Sequence, residues 1–119
     1  MSYDLAVWEG ERPANDREAG EMHATLYDQY LEAEVKVPPT PLIVEFVQRL
    51  LRRWPEDGEV DEDDVPWAAS PLIMGAAGPY VYVPMAWSRA EETSAYAVHV
   101  AAQLGLHYFD PQENRLRTP

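Results

Sequence analysis

From Thr40 to Pro55 the chain reads TPLIVEFVQRLLRRWP, and this segment limits the fold more than any other. Thr40 suits the cap of a helix, Pro41 its first position, where a missing N–H costs nothing, and Pro55 its stop. Leu42, Ile43, Phe46, Val47, Leu50, Leu51 and Trp54 recur at helical spacing, while Arg49, Arg52 and Arg53 complement the negative end of the dipole. The runs on either side have a different period. Tyr3–Trp8 alternates, with Tyr3, Leu5 and Val7 on one side and Asp4, Ala6 and Trp8 on the other. Tyr80–Met85 likewise puts Val81, Val83 and Met85 opposite Tyr80 and Tyr82. Helical and alternating stretches in one short chain point to an α+β domain.

Further elements follow from local punctuation. Asn15 caps a helix running to about Glu32 on the stripe Ala19, Met22, Leu26, Tyr30 and Leu31, with Gly20 as its weak point. Pro71–Ala76 reads as a strand, Ala77-Gly78-Pro79 as a turn, and Pro84, lacking an N–H, makes Tyr80–Met85 irregular or unpaired on one side. Ser88 and Glu91 form a capping-box pattern opening an Ala-rich helix to about Leu104, which Gly105 closes. Leu106–Phe109 is a last strand, ended by the turn Asp110-Pro111-Gln112. The order βα(α)ββαβ predicts a ferredoxin-like antiparallel sheet with its helices mainly on one face and one additional helix. The 119 residues fit a single domain over 1–119.

The formal charge is −12, and it is unevenly placed. Residues 56–64 hold seven acids and no base: Glu56, Asp57, Glu59, Asp61, Glu62, Asp63 and Asp64. Self-repulsion makes the segment at about 55–66 a solvated acidic loop, or else a recognition patch for a cationic partner. An EF-hand reading fails, because neither Asp57 nor Asp61 starts a loop with Gly at position six and Glu at twelve. The negative balance argues against nucleic acid as a partner. With no cysteine, disulfides and Cys-ligated zinc are excluded, and a reducing cytosol is the expected compartment. No apolar run is long enough for a membrane span, and the N-terminus lacks the layout of a signal peptide.

Candidate chemistry concentrates on the sheet face opposite the helices. Strand alternation gathers Asp4, Trp8, Tyr80, Tyr82, His107 and Phe109 there. Three readings compete: ordinary core covered by the extra helix or by a loop bearing Trp67 and Trp87, a protein contact or homodimer seam, and a small-molecule pocket. Base stacking is disfavoured, since no Lys or Arg accompanies these aromatics on the strands. His23, His99 and His107 form no HxxxH or HxH pair, so no metal site is expected. Ser70 and Ser88 lack a nucleophile-elbow context, and no phosphate-cradling glycine loop occurs, so neither catalytic residues nor a cofactor is assigned.

The opening MSYDLAVWEGERPAND, the central PWAASPLI and the closing SRAEETSAYAVHVAAQLGLHYFDPQENRL together resemble a family of small bacterial proteins of actinobacterial type without an established activity. The resemblance therefore carries over no site residues. The ending GLHYFDPQ is also similar to that of small proteins from toxin–immunity neighbourhoods. The expected function is a non-enzymatic protein-interaction module, immunity- or antitoxin-like, whose partner is a basic protein or a second copy. The alternative is a small-molecule-binding protein or small enzyme using a pocket at the aromatic sheet face.

Overall fold

The computed structural model describes residues 2–56 and 65–116. Its strands are β1 (Ser2–Trp8), β2 (Ala76–Ala77), β3 (Tyr80–Ala86), β4 (His107–Asp110) and β5 (Arg115–Leu116). Its helices are α1 (Asp16–Leu26), which runs into a π-helical turn at Tyr27–Leu31, α2 (Pro41–Arg53) and α3 (Ala90–Gln103). The strands form one antiparallel sheet in the order β2-β3-β1-β4-β5. The chain is α+β, and β1 lies at the sheet centre beside both β3 and β4.

The helix punctuation operates as the side-chain chemistry requires. Asn15 Oδ1 accepts from the Glu18 N–H at 2.9 Å, and Thr40 Oγ1 accepts from the Ile43 N–H at 3.3 Å. Each satisfies an N–H that the helix start leaves without an internal partner. Gly105 ends α3 with φ at +72°, a left-handed conformation open to glycine.

Two apolar layers sandwich the sheet. On one face Leu5, Val7, Val81, Val83 and Met85 pack against Ile43, Phe46, Val47 and Leu50 of α2 and against Ala97, Val98 and Ala101 of α3. On the other, Ala6, Trp8, Tyr80 and Phe109 are buried with Ala19 of α1, and Met22, Leu26, Tyr27 and Leu31 pack around them. The expectation of helices mainly on one face is thus corrected by α1. From Leu5 onward β1 is apolar on both sides, so each face of the sheet needs a cover, and α1 supplies the second.

Other local expectations also change. Pro71–Ala76 is not a strand: Leu72–Gly75 forms a 3₁₀ turn, and only Ala76–Ala77 pairs with β3. The first helix departs from α geometry after Leu26 rather than continuing regularly to Glu32. Ser88 does not cap α3, because Trp87–Arg89 form a 3₁₀ turn and the helix begins at Ala90 without a side-chain cap. At Pro84 the expectation holds: β3 keeps register with β1 at Asp4, while on its other side β2 reaches only Tyr80 and Val81 and an isolated bridge joins Trp67 to Met85. Strand β5, with no pattern to announce it, is held by the Asp16 carboxylate, which accepts from the Leu116 N–H at 2.9 Å. None of the described helices is long and apolar enough to cross a membrane.

Candidate functional site

The sheet register places all six predicted residues on the face that α1 covers. Trp8 lies opposite both Tyr80 and His107, Ala6 lies opposite both Tyr82 and Phe109, and Asp4 is two residues along from Ala6. Cross-strand partners point to the same side, so the alternation holds across three strands. Burial divides the six. Trp8, Tyr80 and Phe109 are at most 1% exposed beneath α1, whereas Asp4, Tyr82 and His107 are half-buried. The predicted covers Trp67 and Trp87 are elsewhere: Trp67 donates its indole N–H to the Trp54 carbonyl at 2.8 Å in the other core layer, and Trp87 lies exposed against Tyr3. Closure of the face by α1 leaves no open aromatic sheet for a second copy to meet.

The residue that joins the helix to this face is His23. Its ring stacks on Tyr82 at 6.0 Å and 11° between planes, lies 5.9 Å from Tyr80 and 5.6 Å from Phe109, and its Nδ1 is 2.8 Å from the Tyr80 hydroxyl. Burial pushes the imidazole pKa down, favouring the neutral ring. Burial, with Tyr82 and Tyr27 adding, raises the Tyr80 phenol. Burial and then the bond to Asp4, whose Oδ2 accepts from the Tyr82 hydroxyl at 2.7 Å, raise the Tyr82 phenol. The cluster is therefore a set of neutral rings with one carboxylate at its edge, built to dock α1. His107 does a similar task at the other end, its Nε2–H donating to the Gly10 carbonyl at 2.7 Å and tying down the chain that leaves β1.

Asp4 is held by an unusual strand partner. In β4 register its neighbour would be Pro111, which has no N–H to offer; the Gln112 side chain replaces it. Gln112 Oε1 accepts from the Asp4 N–H at 2.5 Å and Gln112 Nε2 donates to the Asp4 carbonyl at 2.8 Å. Gln112 is positioned in turn by buried Asp110, whose Oδ1 accepts from the Gln112 N–H at 2.9 Å, from Gln112 Nε2 at 2.6 Å and from the Glu113 N–H at 3.2 Å. Asp110 Oδ2 accepts from the Tyr3 hydroxyl. Burial pushes the Asp110 carboxyl up, but the bonds from Tyr3, Gln112 and Glu113 together outweigh it and hold the group below the usual carboxylate range.

Beside the covered face lies an open groove of about 580 Å³. Leu31, Leu72, Met74 and Pro84 give it apolar walls, Tyr27 and Tyr82 line one side, and Lys36 reaches across to donate to the Met74 carbonyl at 2.7 Å. Gly75 sits where a Cβ would come within 2.5 Å of the Tyr82 carbonyl oxygen, so only glycine lets the 3₁₀ turn approach β3 this closely. Of the six predicted residues the groove includes Tyr82 alone. Sequence reasoning missed Tyr27, Leu31, Lys36 and Met74, which come from separate stretches of the chain.

Of the predicted acidic patch, Glu56 is described and is not freely solvated. Its Oε2 accepts from the Leu72 N–H at 2.7 Å and from Ser70 Oγ at 3.3 Å, satisfying the start of the 3₁₀ turn at the groove wall. Asp57, Glu59, Asp61, Glu62, Asp63 and Asp64 lie outside the described residues. Among the described residues no group of three His, Asp or Glu is placed to hold a metal ion.

Fold and site thus define a small α+β domain whose aromatic sheet face is closed by a helix and flanked by an apolar groove. No protein-family model, curated protein or solved structure matches the chain.

Proposed function

We propose that this protein is a non-enzymatic protein-interaction module whose contact surface is the groove between the π-helical turn and the Leu72–Gly75 turn. One observation carries the reading. Among the described residues the large apolar side chains left exposed are Val35, Val37, Met74 and Trp87, and of these Met74 lines the groove. Met74 is a groove wall, and Val35 and Val37 flank Lys36, whose ammonium is bonded to the Met74 carbonyl. An exposed apolar side chain on the wall of an apolar groove marks a contact site more readily than one standing alone on the surface. The likeness of the chain's ending to proteins of toxin–immunity neighbourhoods fits an immunity- or antitoxin-like role. The order β2-β3-β1-β4, with α2 and α3 on a common face, supports reading the core as ferredoxin-like, with α1 inserted and β5 appended.

A second reading, small-molecule binding, is favoured by the groove volume, which falls within the range of about 300–1,000 Å³ common to ligand pockets. A photo-crosslinking amino acid separates the two. Placed at Met74, p-benzoylphenylalanine is expected to yield a discrete protein adduct in native lysate; placed at exposed His99 on α3, across the sheet, it is not. Absence of an adduct at 74, or equal adducts at both positions, refutes the proposal.

A further inference from the structure

We infer that the groove takes a positively charged segment of a partner protein, with a bulky apolar side chain seated between the groove walls. This rests on the interaction-module reading and adds the partner's chemistry to it. The interior is apolar, as its lining by Leu31, Leu72, Met74 and Pro84 requires. The rim is acidic. Asp28 is exposed in the contiguous depression that shares Tyr27 and Tyr82 with the groove, and Asp4 holds the Tyr82 hydroxyl. Glu56 is bonded at Ser70 and Leu72. Against these three carboxylates the described lining offers one ammonium, Lys36, already engaged by the Met74 carbonyl.

Such a rim lowers the energy of an approaching cation and repels an anion, while the apolar floor rewards a side chain that leaves water. Charge and burial thus select together. A basic segment lacking an apolar residue gains only the screened, long-range part, and an acidic segment with the same apolar residue meets repulsion before it reaches the groove.

The test uses the full chain labelled with ¹⁵N and three acetylated, amidated peptides. The first is Lys-Arg-Leu-Arg-Lys, the second has Gly in place of Leu, and the third has Glu in place of every basic residue. The first is expected to shift the amide signals of Leu31, Leu72, Met74 and Gly75, and the second to bind about tenfold more weakly for want of the buried side chain. The third is expected to leave the groove signals unmoved, and raising salt from about 50 to about 300 mM to weaken the first. Asp28→Lys, an exposed change whose unaltered spectrum elsewhere certifies folding, should also weaken it. Equal binding of the first two peptides, preference for the Glu peptide, or no shift with any peptide at about 1 mM overturns the inference. Crosslinking at Met74 reports independently whether any protein docks there, so a partner of other chemistry leaves the interaction-module proposal standing while this one falls.

Discussion

Replacing Asp110 by Asn tests the chain of contacts from the β4 turn to the groove. The carboxylate is 1% exposed and accepts from Tyr3, twice from Gln112 and once from Glu113. Asn preserves the shape, and its amide oxygen can still accept from the Gln112 and Glu113 donors, but the charge is gone. Bonds to a charged acceptor are worth about 1.5–3 kcal/mol each, against about 0.5–1.5 for neutral ones, and removing the charge also relieves its desolvation. The opposing terms leave an expected loss of about 1–2 kcal/mol at pH 7, or roughly 4–8 °C in Tm. The sign with pH is fixed by the direction of the shift. Because the folded carboxyl lies below its unfolded value, the unfolded chain binds more protons in between, and the stabilisation is lost as pH falls from about 4 through the folded pKa. Urea unfolding of both chains, followed by tryptophan fluorescence at pH 7, 5 and 3, should show a gap that is constant between the first two and narrower at the last. Other carboxylates titrate in both chains and cancel in the difference. A gap under about 0.5 kcal/mol at pH 7, or one unchanged at pH 3, refutes the reasoning.

Three further outcomes are expected. Gly75→Ala drives a Cβ to 2.5 Å from the Tyr82 carbonyl oxygen, a backbone atom that cannot swing aside, and should cost about 1–3 kcal/mol in urea unfolding while shifting amide signals on both sides of the groove. Phe46→Ala empties a fully buried site between α2 and the sheet, and a fall of about 3–5 kcal/mol is expected; an unchanged Tm would mean the α2 stripe does not face the core. Burial lowers the His23 pKa, so the unfolded chain takes up the proton first and wild-type stability declines as pH falls below about 6.5. His23→Phe removes that term, and the stability difference between the two chains should move in favour of the variant from pH 7 to pH 5.

Much of the fold was legible because its signals are local. Thr40, Pro41 and Pro55 bracket α2, Asn15 caps α1, and the alternation of β1, β3 and β4 gives the common facing of Asp4, Trp8, Tyr80, Tyr82, His107 and Phe109. The side of the sheet on which α1 lies was not legible from α1 itself, whose stripe would fit either face. The decisive signal was in the strands: Leu5–Trp8 and Tyr80–Val83 are apolar at consecutive positions, the mark of strands buried on both faces, and the alternation alone conceals it. The run Pro71–Ala76 misled for the complementary reason. A short apolar stretch does not declare its period, and here the close approach of Gly75 to β3 bends it into a 3₁₀ turn.

The groove escaped a sequence reading because no single stretch contains it. Its lining comes from the π-helical turn, from Lys36, from residues 69–75 and from β3, brought together by α1 crossing one face of the sheet. The same crossing buries most of the aromatic residues of that face. Rings expected to meet a ligand or a second copy are consumed in docking the helix, with His23 as the neutral wedge between Tyr80, Tyr82 and Phe109. The proposed contact surface accordingly lies at the helix's C-terminal edge, where the cover stops and Tyr82 lines the groove. Charge follows the same division. The arginines of α2 are engaged on their own layer, Arg49 and Arg52 with Glu45 and Arg53 over the Trp54 ring at 4.3 Å, while Asp28 lies exposed in the depression adjoining the groove. On the proposed reading, a cation approaching the groove meets Asp28 exposed beside Tyr27 and Tyr82, where the helical cover ends.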